Sequence, residues 1–266
     1  MSVIGTMIVS KLLFWVNQSI IPTHDILGIM RAKVVNLEKL DIIMQQPVDY
    51  LSPDVPGKLP WHNIPLIKAS DQTLSGYGCL VDEPDNFEIE IKQWPAEGWR
   101  PIDAGTGDEG GIVEGVFYSE WVGDILKGHN DAVQGEYVLG WRTNPDEIKP
   151  DQTSGIDDSM LLWHMNYHPD GGQLFFPQQT KPFVVPVALP GDDLTLESIV
   201  AFWCDGSQGL YIHPGIWHEG VFPVTQNQSF QDRQGRVHAR VSCNICTEFG
   251  VFLKMPLPSE VPSETD

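Results

Sequence analysis

From residue 66 to residue 257 the sequence never sustains a helical apolar period. It breaks instead into short apolar runs separated by clusters of Gly, Pro, Asn and Asp. Runs of that length, bounded by turn formers, read as strands joined by tight turns. Strands are expected at residues 87–94, 111–122, 136–141, 161–167, 173–177, 183–189, 199–204, 209–212 and 240–253. No long amphipathic stretch interrupts them and no fixed repeat period runs through them. An all-β sandwich or jelly-roll barrel is the economical solution, because closure covers strand edges that would otherwise pair with other chains.

The flanks read differently. Val35, Leu37, Leu40 and Ile43 recur at helical spacing and predict a short helix over residues 33–46. Pro47, Pro53, Pro56, Pro60 and Pro65 then mark an extended segment without regular structure. The expected organisation is an N-terminal extension and linker over 1–60, one β-barrel domain over 61–257, and a polar mobile tail over 258–266. The apolar stretch at residues 7–16 is broken by Lys11 and is too short to span a bilayer. It has no basic segment before it, so a secretory signal is not expected and a cytoplasmic location is.

With 36 acidic against 16 basic residues, the formal charge of −20 repels phosphate backbones and anionic lipid. Nucleic-acid and membrane partners are therefore excluded. A small anionic substrate would have to approach against the same field, so a carboxylate site needs a local positive centre, either a metal or an arginine. The four cysteines, Cys79, Cys204, Cys243 and Cys246, are too few and scattered for a disulfide framework. Cys243 and Cys246 have zinc-type spacing, but no second pair follows, and they read as buried core thiols.

Candidate chemistry concentrates in the second half. Gly209 to His218 places His213 and His218 on either side of a Pro214-Gly215 turn, close to the pattern with which cupins bring a histidine into a small barrel. Upstream lies His168-Pro169-Asp170-Gly171-Gly172-Gln173. Facing inward, His168, Gln173, His213 and His218 form a workable N/O set for nickel, manganese, iron or zinc. The usual cupin set is three histidines and a carboxylate, so Gln173 removes a negative ligand. The same residues could equally be hydrogen-bonded pocket groups without a metal. His164 shares a strand face with His168 and could be a ligand or its supporting partner.

Glu219 would point away from His218 on a regular strand; a bulge there would bring both inward and make it a general base, and otherwise it is a surface carboxylate. Trp217 reads as a barrel wall, with a possible substrate contact. Arg100, in a glycine-rich stretch, either offers its planar fork to a substrate carboxylate or pairs with an Asp in an ordered loop. Gly105, Gly107 and Gly110 match a dinucleotide fingerprint by letter only, for no helix is expected to follow.

These residues carry a resemblance to the ureidoglycolate lyase family of cupin-fold proteins. The correspondence runs through His168-Pro169-x-Gly171-x-Gln173-x-Phe175-x-Pro177, Pro182 to Val185, Gly191-Asp192-Asp193, Ala201-Phe202 and Gly209-x-x-x-His213-x-x-x-Trp217-His218. A weaker echo lies at Pro65-Leu66 and Gly76-Tyr77-Gly78. The chain departs from the family in reading His218-Glu219 where two histidines are usual, and in the long interval between Tyr77 and His168.

The resemblance implies a carbon–nitrogen lyase of allantoin breakdown that splits ureidoglycolate into glyoxylate and urea, and a homodimer. In that reading His168, Gln173 and His218 hold a divalent metal; His213, Glu219 and His218 are catalytic; Arg100, Gln173, Trp217 and Lys181 bind substrate. The alternatives are another metal-dependent cupin isomerase, lyase or oxygenase acting on a small hydroxy acid, or a non-catalytic cupin that binds a small ligand.

Overall fold

The computed structural model describes residues 48–92, 98–107, 109–149, 158–237 and 239–260. The helix expected at 33–46 lies outside them. The strands are β1 (Trp61–Asn63), β2 (Leu66–Lys68), β3 (Gly78–Val81), β4 (Glu109–Val122), β5 (Ile125–Asn130) and β6 (Gly135–Trp141). After them come β7 (Ser159–Leu162), β8 (His164–Tyr167), β9 (Gln173–Pro177), β10 (Phe183–Ala188), β11 (Val200–Cys204) and β12 (Gly209–Ile212). The series ends with β13 (Trp217–His218), β14 (Phe222–Pro223), β15 (Asn227–Val237), β16 (Val241–Asn244) and β17 (Phe252–Pro256). The five-residue helix α1 (Ile245–Phe249) sits between β16 and β17.

These strands form two sheets. One has ten strands in the order β1-β17-β7-β6-β5-β4-β15-β9-β12-β3; the other runs β16-β8-β13-β10-β11-β2, with β14 beside β10. The core lies between them. Phe117, Leu126, Phe175 and Leu210 from the first sheet join Met165, Val184, Phe202 and Trp217 from the second in one buried cluster. Enclosing them removes large apolar areas from water, the dominant stabilising term for such a fold. The architecture is the expected all-β, cupin-type jelly roll.

Local departures from expectation have physical causes. Residues 161–167 divide at Trp163, whose indole donates to the Val138 carbonyl (2.8 Å), so β7 and β8 enter different sheets. Residues 240–253 divide because Asn244 accepts the Thr247 N–H and starts α1, which Gly250 then ends in the left-handed region. Of residues 87–94, the described ones make only an isolated bridge between Ile91 and Gly171. The eleven-residue strand β15 is absent from the expected set because its sequence is polar. Alternation is nonetheless present, with Gln228, Phe230, Asp232 and Gln234 all buried.

Two details of β4 shape the interior. Gly115 pairs directly with Asp232, and a side chain there would strike the Ala132 backbone, so the turn after β5 packs closely over it. At the other end the β4–β15 register shifts between Gly235 and Val237, opposite Gly110 and Gly111. Gly111 has φ 102, which glycine alone takes without strain. The irregularity leaves Arg236 out of step with its neighbours, a usual way to re-aim a side chain.

The described residues of the Pro-rich segment form no strand before Trp61, yet they are not detached. Val48, Tyr50, Val55 and Leu59 pack on Trp141, Leu161, Trp163 and Phe252. All four cysteines are free, and burial pushes the Cys246 thiol up to about 12. Among the described residues no helix is long and apolar enough to cross a membrane.

Candidate active site

A cavity of about 660 Å³ is bounded by both sheets. From the second sheet come Asn166 and His218, whose strands pair at exactly these residues; from the first come Gln173, Phe175 and Gln234, with β4, β5 and β6 completing the wall. His168, Gln173, His218 and Glu219 all line it. His218 and Glu219 reach one cavity although they are adjacent, because β13 ends at His218 and the strand alternation stops there. Glu219 is therefore not a surface carboxylate: it is only 8% exposed.

Behind Glu219 stands His164. Its Nδ1 donates to Glu219 Oε2 at 2.6 Å, with both side chains nearly removed from solvent. The His164 Nε2 lies 3.4 Å from the Tyr50 hydroxyl, which is itself 3.1 Å from Ser242 Oγ. Ser242 donates to Asp103 Oδ2 (2.6 Å), and Arg240 Nε donates to the same oxygen (2.8 Å). Glu219, Tyr50 and Arg240 thus face the cavity on one continuous hydrogen-bonded chain. Burial raises the Tyr50 pKa, against the opposing effect of Arg240, and keeps the phenol neutral. Burial also disfavours the Arg240 charge, but its pKa is nonetheless raised, with the Asp103 carboxylate holding the guanidinium.

Four sequence candidates do not line this cavity. Arg100 is buried elsewhere: its two terminal nitrogens donate to Glu248 (2.9 and 2.8 Å) and its Nε to the Asp192 carbonyl (2.7 Å). A guanidinium with those donors committed supports the fold around α1, so the carboxylate clamp expected at Arg100 does not form there. His213 Nδ1 donates to Glu90 Oε1 (2.6 Å) on a part-exposed rim. Trp217 is fully buried, its indole bound to the Gly191 carbonyl, and is a core wall. Lys181 lies in the β9–β10 connection, where its carbonyl accepts from Gln228. The cations that do line the cavity are Arg236 and Arg240. They supply the local positive centre that the acidic chain demands, and of the two Arg236 lies at the irregular end of β15.

The imidazoles are oriented from behind. His168 Nδ1 donates to the Ala239 carbonyl (2.9 Å) and His218 Nδ1 to the Ile216 carbonyl (2.8 Å). In the neutral rings the lone pair is then on Nε2. His218 Nε2 lies 3.3 Å from Gln173 Oε1, and the two histidine rings are 5.2 Å apart. Gln173 is held in turn by Asp232, its diagonal neighbour across the β9–β15 pair, through Nε2 to Oδ1 at 2.9 Å. Asp232 also accepts from Asn130 and Gln234 and is fully buried. Burial, only partly offset by these amides, raises its pKa to about 6.

Two Nε2 lone pairs and an amide oxygen fit a divalent ion through neutral donors. Among the described residues no group of three His, Cys, Asp or Glu side chains gathers as a metal site.

Two sheets closed around an internal cavity make this a cupin-type jelly roll. Within it, residues 141–247, less than half of the chain, match the model of the family described as ureidoglycolate lyase. The chain is similar to the ureidoglycolate lyase of Pseudomonas fluorescens Pf-5, 31% identical over 86 residues, covering 32% of this chain and 52% of that protein. The Stutzerimonas stutzeri A1501 ureidoglycolate lyase is 37% identical over 96 residues, 35% of this chain and 53% of its own length. That of Escherichia coli O139:H28 is 36% identical over 63 residues, 24% and 39% of the two chains. The chain thus spans about half the length of the curated relatives it matches, or less. The matched stretch holds His164, His168, Gln173, His218, Glu219, Asp232 and both cavity arginines; Tyr50, Asp103, β4 and β5 precede it.

Proposed function

We propose that this chain is a carbon–nitrogen lyase that splits ureidoglycolate into glyoxylate and urea, a step of purine nitrogen breakdown. The observation that carries the reading is a buried carboxylate, Glu219, backed by the His164 imidazole and facing the same cavity as Arg236 and Arg240. The chemistry requires the carbinol hydroxyl to lose a proton as its C–O bond becomes a carbonyl, while the C–N bond breaks and the departing nitrogen gains a proton. Glu219 takes the hydroxyl proton and returns it to the ureido nitrogen, so no external acid is consumed. His164 orients that carboxylate, with Tyr50 as a neutral donor behind it. Arg240, anchored by Asp103, and Arg236 hold the substrate carboxylate. Asn166 and Gln173 offer amide groups to the hydroxyl and ureido ends.

His168, Gln173 and His218 would hold a divalent metal. Bound there, such an ion would act as a Lewis acid on the hydroxyl. The reading is tested by measuring glyoxylate release from both enantiomers of ureidoglycolate, with and without added nickel or manganese. Absence of turnover in every case overturns it.

A further inference from the structure

The cavity is larger and more apolar than ureidoglycolate needs. Polar groups gather around β8, β9, β13 and the end of β15, and Asn130, Gln134, Glu136 and Tyr137 line the other side. Among them runs an apolar strip formed by Val113 and Phe117 on β4, Ala132 and Val133 in the turn after β5, and Leu139 on β6. In the ten-stranded sheet β15 alone separates β4 from β9, while β6 lies three strands away, so the apolar wall extends well to one side of Gln173. Val133 is 42% exposed at the rim, an apolar lip where a polar one would cost nothing. Ureidoglycolate has about nine non-hydrogen atoms, all in polar groups except one carbon, whereas cavities of roughly 300–1,000 Å³ enclose drug-sized ligands. The 660 Å³ here falls in the middle of that range. The residues of this strip all precede the stretch that matches the family model.

We infer that the cavity accepts N-acyl-2-hydroxyglycines with an apolar acyl chain and cleaves them to glyoxylate and the primary amide. This rests on the lyase reading above and names a substrate class for the same site. The bonds are those already described: the hydroxyl oxygen becomes the aldehyde oxygen of glyoxylate, the C–N bond breaks, and the hydroxyl proton ends on the amide nitrogen. No oxidant or second reactant is needed. The carboxylate and hydroxyl keep their places at Arg240 and Glu219, and the acyl chain lies along Val113, Phe117 and Leu139. Each methylene it buries there multiplies the affinity several-fold.

The test compares kcat/KM for N-hexanoyl-2-hydroxyglycine and for ureidoglycolate on the full chain, by glyoxylate release. A value at least tenfold higher for the hexanoyl compound is expected, and supports the inference even if ureidoglycolate is not turned over. Equal or slower turnover of the hexanoyl compound, with ureidoglycolate cleaved, overturns it and leaves the lyase reading standing. No glyoxylate from either overturns both. In V113W the ratio of the two values should fall at least fivefold, and an unchanged ratio in folded protein overturns the assignment of this wall.

Discussion

Glu219 and His164 meet at 2.6 Å in the interior, one facing the cavity and the other shielded behind it. His164 lies on β8 and Glu219 directly follows β13, and the two strands pair at His218 and Asn166. A carboxylate so placed can carry a proton between two substrate atoms, while its partner fixes its direction.

Glu219→Gln should therefore lower kcat on the order of 10²–10⁴-fold with little change in KM. His213→Ala should stay within about twofold of wild type, since that ring pairs with Glu90 on the rim. Steady-state glyoxylate assays distinguish them, and the reverse pattern would move proton transfer to His213.

The arginines separate just as clearly. Arg240→Ala is expected to raise KM at least tenfold, because it removes a cavity cation. Arg100→Ala instead leaves Glu248 without its bidentate partner in the interior and should cost about 3–5 kcal/mol of stability. Denaturant unfolding checks this: a large KM change with unaltered stability in the Arg100 variant would return the clamp to that residue.

Asp232 predicts a pH dependence of stability. Folded, its carboxyl keeps a proton to about pH 6; unfolded, it does so only to the ordinary carboxylate value of 3.8. The folded state binds the extra proton between those values, so this contribution is complete below the unfolded pKa and is lost as pH rises to about 6. The span is about two pH units, or about 3 kcal/mol. Asp232→Asn should remove that component. Parallel melting curves for both proteins from pH 4 to 7 would show the wild type losing ground to the variant, and a constant offset would contradict the assignment.

Metal dependence follows from the donor set. Chelation should lower activity at least tenfold, and His218→Ala should reduce both metal content, by elemental analysis, and activity by about 10–100-fold. Full activity in chelated, metal-free protein would confine His168, Gln173 and His218 to hydrogen bonding.

Where the core was apolar the strands were legible, and Gln173–Pro177 and Gly209–Ile212 appear with the bounds their patterns predict. Legibility failed where the interior is polar. β15 buries Gln228, Asp232 and Gln234, so hydropathy conceals the strand that carries the floor of the site. Of the candidate residues, His168, Gln173, His218 and Glu219 line one cavity, Glu219 because the strand ends just before it, while Arg100 and His213 do not line it. A guanidinium's partner can lie far along the chain, as Glu248 does from Arg100, and no local pattern specifies it.

The chain's own order of residues determined an all-β barrel, an acidic surface requiring an inner cation, and a histidine-amide cluster around the Pro214-Gly215 turn. Only the tertiary structure decided which cations serve, that His164 backs Glu219, and that Tyr50 from the Pro-rich segment joins them. The reason is one of range. Strand patterns arise from neighbours two residues apart, whereas the Tyr50–Ser242 and Asp103–Arg240 contacts join residues more than a hundred positions apart, through the closure of the sheets.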